Sequence, residues 1–590
     1  MSNRILDFSS FGEELWRIAD VFRDDTLKTT EYLEEFSYFF FLKLWDERER
    51  AEQEETEALG ETYIPYLPEH MRFYAWATDP DTSAAKHGFE SVVSFVNDMF
   101  DRLSHIGDVV EIRDKNRTYF PKDYTLEAPG YVRLPSTTPL ALREGTFNHD
   151  DIIKIERNLD LFRRLFQNHT LRVRYDPTIR ELCKRLIPLQ IQAETEGRWD
   201  KLGRAYEFVV NRLGEQKQYG QYFTPRHIVD RIVEVVDPEP GEWIYDPAAG
   251  TGGFIARVFE YVQDKINKRV AEHVRRETML RSLKEEHLWG VEKAPDVFKL
   301  GLMNMILHGD GSTHLREADS LSSQAQQDPD YKSRFDVIVA NPPFGKTVQE
   351  RMAQFTYHIK LYEALFTQHI YNALKPGGRA GFVIKEGLLF DSKTALRNIR
   401  KRLVDRFHVL GVISLPNGVF NPYSGAKTSV LVIRRPANRE DKHPTGHIWF
   451  YEVASDGRDL GATRRPLPDF EDDGDLADMI TRFPYRFRNG YPALKAEQDV
   501  TAYDKKWWWA SLDTIRDNDY NLTAGRYNPN PPAVVEHEDP RELINQLLDL
   551  EGEIRNDLEE LLEMISVPQS ATLLAGAFPF LKVNEENNGR

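Results

Sequence analysis

Apolar positions along the first 195 residues recur at helical spacing. Leu15, Ile18 and Phe22 share one face, and Leu33, Phe36, Phe40 and Leu44 share another, while Ser10 and Glu13 have the spacing of a capping box. This stretch is expected to be mostly helical. The aromatic run Tyr38 to Phe41 falls within the same period and has no interleaved basic residues, so it predicts core and not a base-stacking platform. Further on the pattern changes to short apolar runs: Trp243-Ile244-Tyr245, Leu288 to Val291, Val337 to Ala340, Phe407 to Leu415 and Ser429 to Arg434. Helical periodicity lies between them, as at Ile255, Val258, Phe259 and Val262. Strands alternating with helices predict an α/β fold, and the last two runs are expected to be its final strands. Near the end Asp539-Pro540 supplies an N-cap and a first-turn proline for a long helix. In that helix Leu543, Leu547, Leu550, Ile554, Leu558, Leu561 and Ile565 form an apolar stripe. Three regions result: a helical domain over 1–195, an α/β domain over 196–475, and a C-terminal region over 476–590.

Two strand ends carry candidate chemistry. Asn341-Pro342-Pro343-Phe344 follows the run Val337 to Ala340, at the C-terminal end of a strand, where open α/β sheets hold their ligands. The lone pair of an exocyclic base amine such as adenine's is delocalised into the ring. The Asn341 side-chain oxygen and the Pro342 carbonyl can accept both amine hydrogens and free that lone pair. The prolines stiffen the loop, and Phe344 can stack on a base rotated out of the helix. Alone, Asn-Pro is also an ordinary turn initiator. The second strand end, Asp246-Pro247-Ala248-Ala249-Gly250-Thr251-Gly252-Gly253-Phe254, leads from Tyr245 into a helix, and its glycines let a ligand approach the backbone closely. A dinucleotide fingerprint would need glycine where Ile255 stands. Glu292, at the end of the next strand, is placed to grip the hydroxyls of a ribose.

Together these residues resemble S-adenosylmethionine-dependent DNA adenine-N6 methyltransferases, and the match is closer still to the modification subunit of type I restriction-modification systems. It runs in order from Gln218-Tyr219-Gly220-Gln221-Tyr222-Phe223-Thr224-Pro225-Arg226 through the glycine loop and Gly290-Val291-Glu292. It continues through Met303 to Gly309, Asp319-Ser320-Leu321, the Asn341 loop and Leu374 to Arg379, and closes with Val412 to Phe420. The resemblance implies a Rossmann-like mixed sheet with an N-terminal helical domain and a C-terminal helical extension. It implies S-adenosylmethionine as the cofactor and no metal. Phe223 and Thr224 would flank that cofactor, and Asp246, Ala248, Gly250, Thr251, Gly252 and Gly253 would hold its methionine end. Glu292 would take the ribose, Asp319 would accept from the cofactor's adenine amine, and Asn341, Pro342, Pro343 and Phe344 would act on the target base in double-stranded DNA. The helical domain would help close around DNA. The C-terminal helix, through Leu543, Leu547, Leu550, Ile554, Leu558 and Leu561, would pack beside the helices of a separate specificity subunit, in a complex with a second copy of this chain and a restriction (translocase or nuclease) subunit.

Composition narrows the choices. At 590 residues two or three domains are expected. The single cysteine, Cys183, lies in an amphipathic helical context and predicts a core residue. It argues against a disulfide framework and against the thiol nucleophile of cytosine-C5 methylation. A formal charge of −18 is awkward for a DNA enzyme and suggests that another chain supplies much of the DNA grip. With no signal-type segment and no membrane-length apolar run, a cytoplasmic protein is expected. Trp507-Trp508-Trp509 is expected to pack against another element or a partner. Two alternatives stay open: a methyltransferase acting on RNA or a protein glutamine, and a catalytically silent scaffold that binds S-adenosylmethionine.

Overall fold

The computed structural model describes residues 8–25, 27, 29–58, 60, 67, 71–105, 161–189, 206, 224–308, 314–421, 424–459, 461, 464, 467, 474–488, 491–495, 499–530 and 540–566, with four short strands between 109 and 133. The N-terminal part is helical, as its periodicity predicts: α1 (Phe8–Ala19), α2 (Thr29–Ala58), α3 (Val92–His105) and α4 (Asp176–Leu186). Every residue from Glu34 to Asp46 of α2 is buried, charged ones included, so this helix is the centre of the domain and not a surface element. Tyr38 and Phe39 meet Phe100 of α3, and Phe41 meets Phe162. The aromatic run is core, and so is Cys183 of α4.

The α/β part contains α5 (Arg226–Val236), β1 (Ile244–Asp246), α6 (Gly253–Arg269), β2 (Leu288–Glu292), α7 (Pro295–Leu307), β3 (Leu315–Glu317), β4 (Phe335–Ala340), α8 (Tyr362–Ala373) and β5 (Leu374–Lys385). It continues with α9 (Thr394–Arg406), β6 (His408–Ser414), β7 (Thr428–Arg434), β8 (His447–Glu452) and β9 (Trp507–Ser511). Nine strands form one mixed sheet in the order β9-β8-β6-β7-β5-β4-β1-β2-β3. β7 runs antiparallel to both β5 and β6, and β9 runs antiparallel to β8; the other pairs are parallel. All residues of β4, β6 and β7 are buried, which is why they read as unbroken apolar runs instead of alternating ones.

The expectation that β6 and β7 close the sheet needs correction, because β8 and β9 follow them. The tryptophan cluster is β9 itself, with Trp507, Trp508 and Trp509 paired to Tyr451, Phe450 and Trp449 of β8. The sheet therefore draws chain from beyond residue 475. The cluster thus packs against another element, as expected, with Trp508 buried between two partly exposed neighbours; what the three residues do not show is that the element is an edge strand.

Strand order reverses between β1 and β4, whose parallel pairing sets Ile244 beside Val337 and Tyr245 beside Ile338. The C-terminal ends of these two strands consequently lie side by side, and an open sheet binds its ligand at such a switch point. Residues 530–590 form a separate compact unit whose described element is α10 (Pro540–Ser566). Its Ile544, Leu547, Leu548, Leu550, Ile554 and Leu558 are each more than half exposed. The side chains of Leu543 and Leu561 lie outside the described ones. Among the described residues no helix is long and apolar enough to cross a membrane.

Helix α7 is wedged between α2 and the loop that follows β1. A Cβ at Gly301 would lie 2.9 Å from the Gly250 carbonyl oxygen and 3.2 Å from the Thr251 carbonyl carbon, both backbone atoms of that loop. Gly301→Ala is therefore expected to destabilise the protein. Overpacking against backbone costs about 1–3 kcal/mol, which outweighs the roughly 0.5–1 kcal/mol that alanine gains over glycine inside a helix. Chemical denaturation checks it; an unchanged or raised midpoint would show that the loop yields freely.

Candidate active site

The loop joining β1 to α6 is shaped by two left-handed glycines, Gly250 (φ 54°) and Gly252 (φ 79°), conformations that a side chain would strain. Glu292, at the end of β2, ties this loop down. One of its carboxylate oxygens accepts from the Gly250 N–H at 3.0 Å, and the other accepts from the N–H groups of Lys293 and Ala294, both at 2.7 Å. A carboxylate has about four acceptor directions, so roughly one remains for a ligand hydroxyl. The Ala249 N–H adds a bond to the Val291 carbonyl at 2.9 Å.

A cavity of about 460 Å³ opens at this edge of the sheet. Thr224, Ala248, Gly250, Thr251, Gly253, Glu292, Asp319, Asn341 and Pro343 all line it, so residues nearly 120 positions apart in sequence meet there. Gly252 supports the turn from behind this wall, and Pro342 and Phe344 lie outside the lining. Phe223 lies outside the described residues.

Asp246 differs from its expected place. It is fully buried beneath the wall, where one oxygen accepts from the Ala248 N–H at 2.9 Å and the other has no partner. Burial pushes its carboxyl up to about 8 against that hydrogen bond, and the nearby Glu292 charge adds to the rise. Burial also raises Glu292, against the bonds from Ala294 and Gly250. Among the described residues neither carboxylate is in an ion pair. Beside them the N-terminus of α6 reaches the cavity at Gly253, and a helix N-terminus favours anions. An unpaired carboxyl behind one part of the wall, which a nearby cation would draw into its ionised form, and a helix N-terminus at another suit a ligand that carries both charges, as the amino-acid end of a nucleoside-linked methionine does.

Asn341, the residue after β4, is held by a contact that its own motif does not announce. Its Nδ2 donates to Thr224 Oγ1 at 2.9 Å, which leaves Oδ1 as a buried acceptor without a partner. Thr224, expected to flank the cofactor, thus also orients Asn341. Phe344 is half-buried, with the Phe420 ring edge-on at 6.3 Å and 81°. Glu363 steadies the loop by accepting from the Gly345 N–H at 3.0 Å.

Asp319 lines the cavity, but its carboxylate is already engaged. One oxygen accepts from the Leu321 N–H at 3.0 Å, and the other meets Arg351 at 2.8 Å and Lys293 at 3.1 Å. Arg351 also donates to the Tyr362 hydroxyl at 2.5 Å and lines the cavity. Sequence reasoning missed it, because it sits in an irregular polar segment after the Asn341 loop and belongs to no periodic face. Beneath the floor Ser320 Oγ donates to the Pro247 carbonyl at 2.6 Å, and Tyr245 and His369 continue this polar chain with a 3.0 Å bond.

Comparison with known proteins agrees with this arrangement. Residues 197–534, more than half of the chain, match the model of the N-6 DNA methylase family, and residues 11–141 match the HsdM N-terminal domain. The chain is 26% identical over 565 residues to the methylase subunit of the type I restriction enzyme EcoEI of Escherichia coli, covering 94% of this chain and 98% of that one. It is 30% identical over 277 residues to the EcoKI methylase subunit of E. coli K12, covering 46% of this chain and about half (51%) of the relative. A solved chain from a type I restriction-modification system superposes with a TM-score of 0.59 at 26% identity, over 94% of this chain and 98% of the other. The methyltransferase subunit of such a system from Streptococcus thermophilus shares the fold, with a TM-score of 0.56 at 20% identity over 89% and 100% of the two chains. The sheet, the two convergent loops and these matches together make the chain a member of the N-6 DNA methylase family, a DNA methyltransferase of the type I modification-subunit kind.

Proposed function

We propose that this chain moves a methyl group from S-adenosylmethionine to the N6 amine of an adenine flipped out of double-stranded DNA, as the modification subunit of a type I restriction-modification complex. The observation that carries the proposal is Asn341 Oδ1: a buried, unpartnered acceptor, oriented by Thr224, in the wall of the cavity that the glycine loop also lines. When bound, S-adenosylmethionine supplies a methyl made electrophilic by its sulfonium. This chain's own residues do the rest. Asn341 Oδ1 and the Pro342 carbonyl accept the two amine hydrogens and turn the nitrogen lone pair toward the cavity. Phe344 holds the base by stacking, and because Thr224 fixes the Asn341 amide beforehand, little reorganisation is left for the reaction itself. The residues present fit the cofactor: the α6 N-terminus suits its carboxylate, its cationic groups would favour the ionised form of Asp246 behind the wall, and Glu292 keeps an acceptor direction for a ribose hydroxyl. Asp319 serves the cofactor's adenine only if Arg351 and Lys293 share it. The match to a DNA methylase family favours DNA over RNA or a protein amide.

The exposed apolar side chains of α10 and the net charge of −18 support assembly with a helical specificity subunit that supplies DNA affinity and sequence choice. A second copy of the chain and a restriction subunit would complete the complex, which we place in the cytoplasm.

Three outcomes are expected. Asn341→Ala should lower methyl transfer by about a hundredfold or more and leave cofactor affinity nearly intact, because the acceptor is used mainly in the transition state. A methyl-transfer assay beside calorimetry with S-adenosylmethionine checks it, and a near-normal rate would sink the proposed role.

For Asp246 the sign follows from its raised pKa. With a folded value of about 8 against about 3.9 unfolded, the carboxyl holds its proton on folding between these limits, so the free protein loses stability as pH rises from about 4 through about 8. Asp246→Asn keeps an acceptor for the Ala248 N–H and cannot ionise. It should melt higher than the wild type at about pH 9 and match it near pH 4, while binding S-adenosylmethionine at least about tenfold more weakly at neutral pH. Equal melts at both pH values would show that Asp246 carries no such penalty.

Truncation after Pro529, the boundary of the first compact unit, should leave that unit's melting temperature unchanged and abolish co-purification with the specificity subunit. A retained complex would place the interface elsewhere.

A further inference from the structure

A second cleft, of about 740 Å³, lies at the opposite edge of the sheet, where β4 and β5 begin. Ser333 lines it and Asn341 follows the far end of β4, which puts the two ends about 25 Å apart at the rise of an extended strand. No residue lines both this cleft and the Asn341 cavity, although Gln326 and His369 of its lining belong to the polar chain beneath that cavity.

Its lining is cationic. Lys332 precedes β4, Arg402 and Arg406 lie one turn apart at the end of α9, and Arg435 follows β7. No carboxylate is among the lining residues, and none of these four cations is in an ion pair among the described residues. The last turns of α8 and α9 also reach the cleft, but helix C-termini carry only about half a negative charge each, against four full positive ones. Tyr371 is 2% exposed, with its hydroxyl unpartnered and its ring 4.7 Å from the Arg402 guanidinium. The buried Arg402 Nε–H also lacks an acceptor. Burial, and then the Arg402 charge, hold Arg435 below its ordinary value, so the like charges feel each other. The Arg435 guanidinium is positioned by bonds to Ser333 Oγ at 2.9 Å and to the Leu374 carbonyl at 2.6 Å.

Four convergent cations, two buried donors lacking acceptors and no counter-charge specify a multiply charged oxyanion. We propose that this cleft binds a small phosphate-bearing ligand, its phosphoryl oxygens taken by Arg402, Arg435 and Tyr371 with Lys332 and Arg406 at the rim. Arginine forks match phosphoryl oxygens in geometry as well as charge. The volume admits a whole nucleotide as readily as inorganic pyrophosphate. A duplex whose target base occupies the Asn341 cavity would lie at the other edge of the sheet, which favours a diffusible ligand over the DNA backbone.

Calorimetry on the full-length chain with inorganic phosphate, pyrophosphate, a nucleoside triphosphate and a short DNA duplex tests this. Saturable binding of the phosphate compounds is expected, weakened at least about tenfold in Arg402→Gln and Arg435→Gln. Pyrophosphate and nucleotide binding alike would identify the phosphates as the recognised part, and nucleotide binding alone would add contacts to the base; both support the site. Arg406→Glu, at an exposed position, serves if the variants at the half-buried Arg402 and Arg435 fail to fold, and should also weaken binding. His369 and Gln326 are left unchanged, because they share a 2.7 Å bond in the polar chain beneath the first cavity. No saturable binding of any phosphate compound below about 10 mM, unaltered binding in the arginine variants, or binding of the duplex alone would overturn the proposal.

Discussion

The parallel pairing of β1 with β4 is the constraint on which the rest of the structure depends. It sets Ile244 beside Val337 and Tyr245 beside Ile338, so that the glycine loop and the Asn341 loop leave the sheet from adjacent strands at one edge. A one-residue slip would exchange the faces of every side chain in β4. Both faces of β4 are buried under helices, and its six residues, Phe335 to Ala340, are all buried. The slip is thus penalised mainly by pairing and packing, not by exposure of an apolar face. The Asp336 carboxylate contributes to the register by accepting from the Trp243 N–H at 3.0 Å, across the start of the same strand pair.

The loops need support as well as adjacency. The glycine loop rests on α7, where Gly301 allows backbone-to-backbone approach and Asn304 Nδ2 donates to the Thr251 carbonyl at 3.0 Å. The N-terminal domain holds α7 from its other side: Arg48 of α2 donates to the Ile306 carbonyl at 3.1 Å, and Lys299 donates to the Gln167 carbonyl at 2.8 Å. The N-terminal helical region is therefore part of the scaffold of the glycine loop. This gives a physical reason for the two regions to occur in one chain.

Buried charge is handled differently in the scaffold and in the cavity. Arg379 is fully buried and forms a fork with Glu242 at 2.7 and 2.8 Å while also donating to the Asp237 carbonyl. Arg400 is buried and satisfied by the carbonyls of Leu388, Asp391 and Tyr520. Asp246 and Asn341, in contrast, each keep a buried oxygen without a donor at the edge where the two loops converge. Such groups cost stability in the free protein, the usual exchange between stability and function at a site.

From the sequence alone came the helical character of the N-terminal region, the strands β1, β2, β4, β6 and β7 but not β3 or β5, the two loops at strand ends and the apolar stripe on α10. Each is a local pattern, of period or of residue type beside glycine and proline, and neighbours in sequence suffice to show it. Tertiary structure alone decided the partnerships: Thr224 with Asn341, Arg351 and Lys293 with Asp319, Gly301 with Gly250, and β9 with β8. It also buried Asp246 behind the cavity wall instead of on it, and gathered Lys332, Arg402, Arg406 and Arg435 around a second cleft. A single chain without its fold gives no distance between residues far apart along it. Hydrogen bonds, ion pairs and close approaches depend on those distances to within about an ångström, whereas periodicity depends only on the repeat of the backbone.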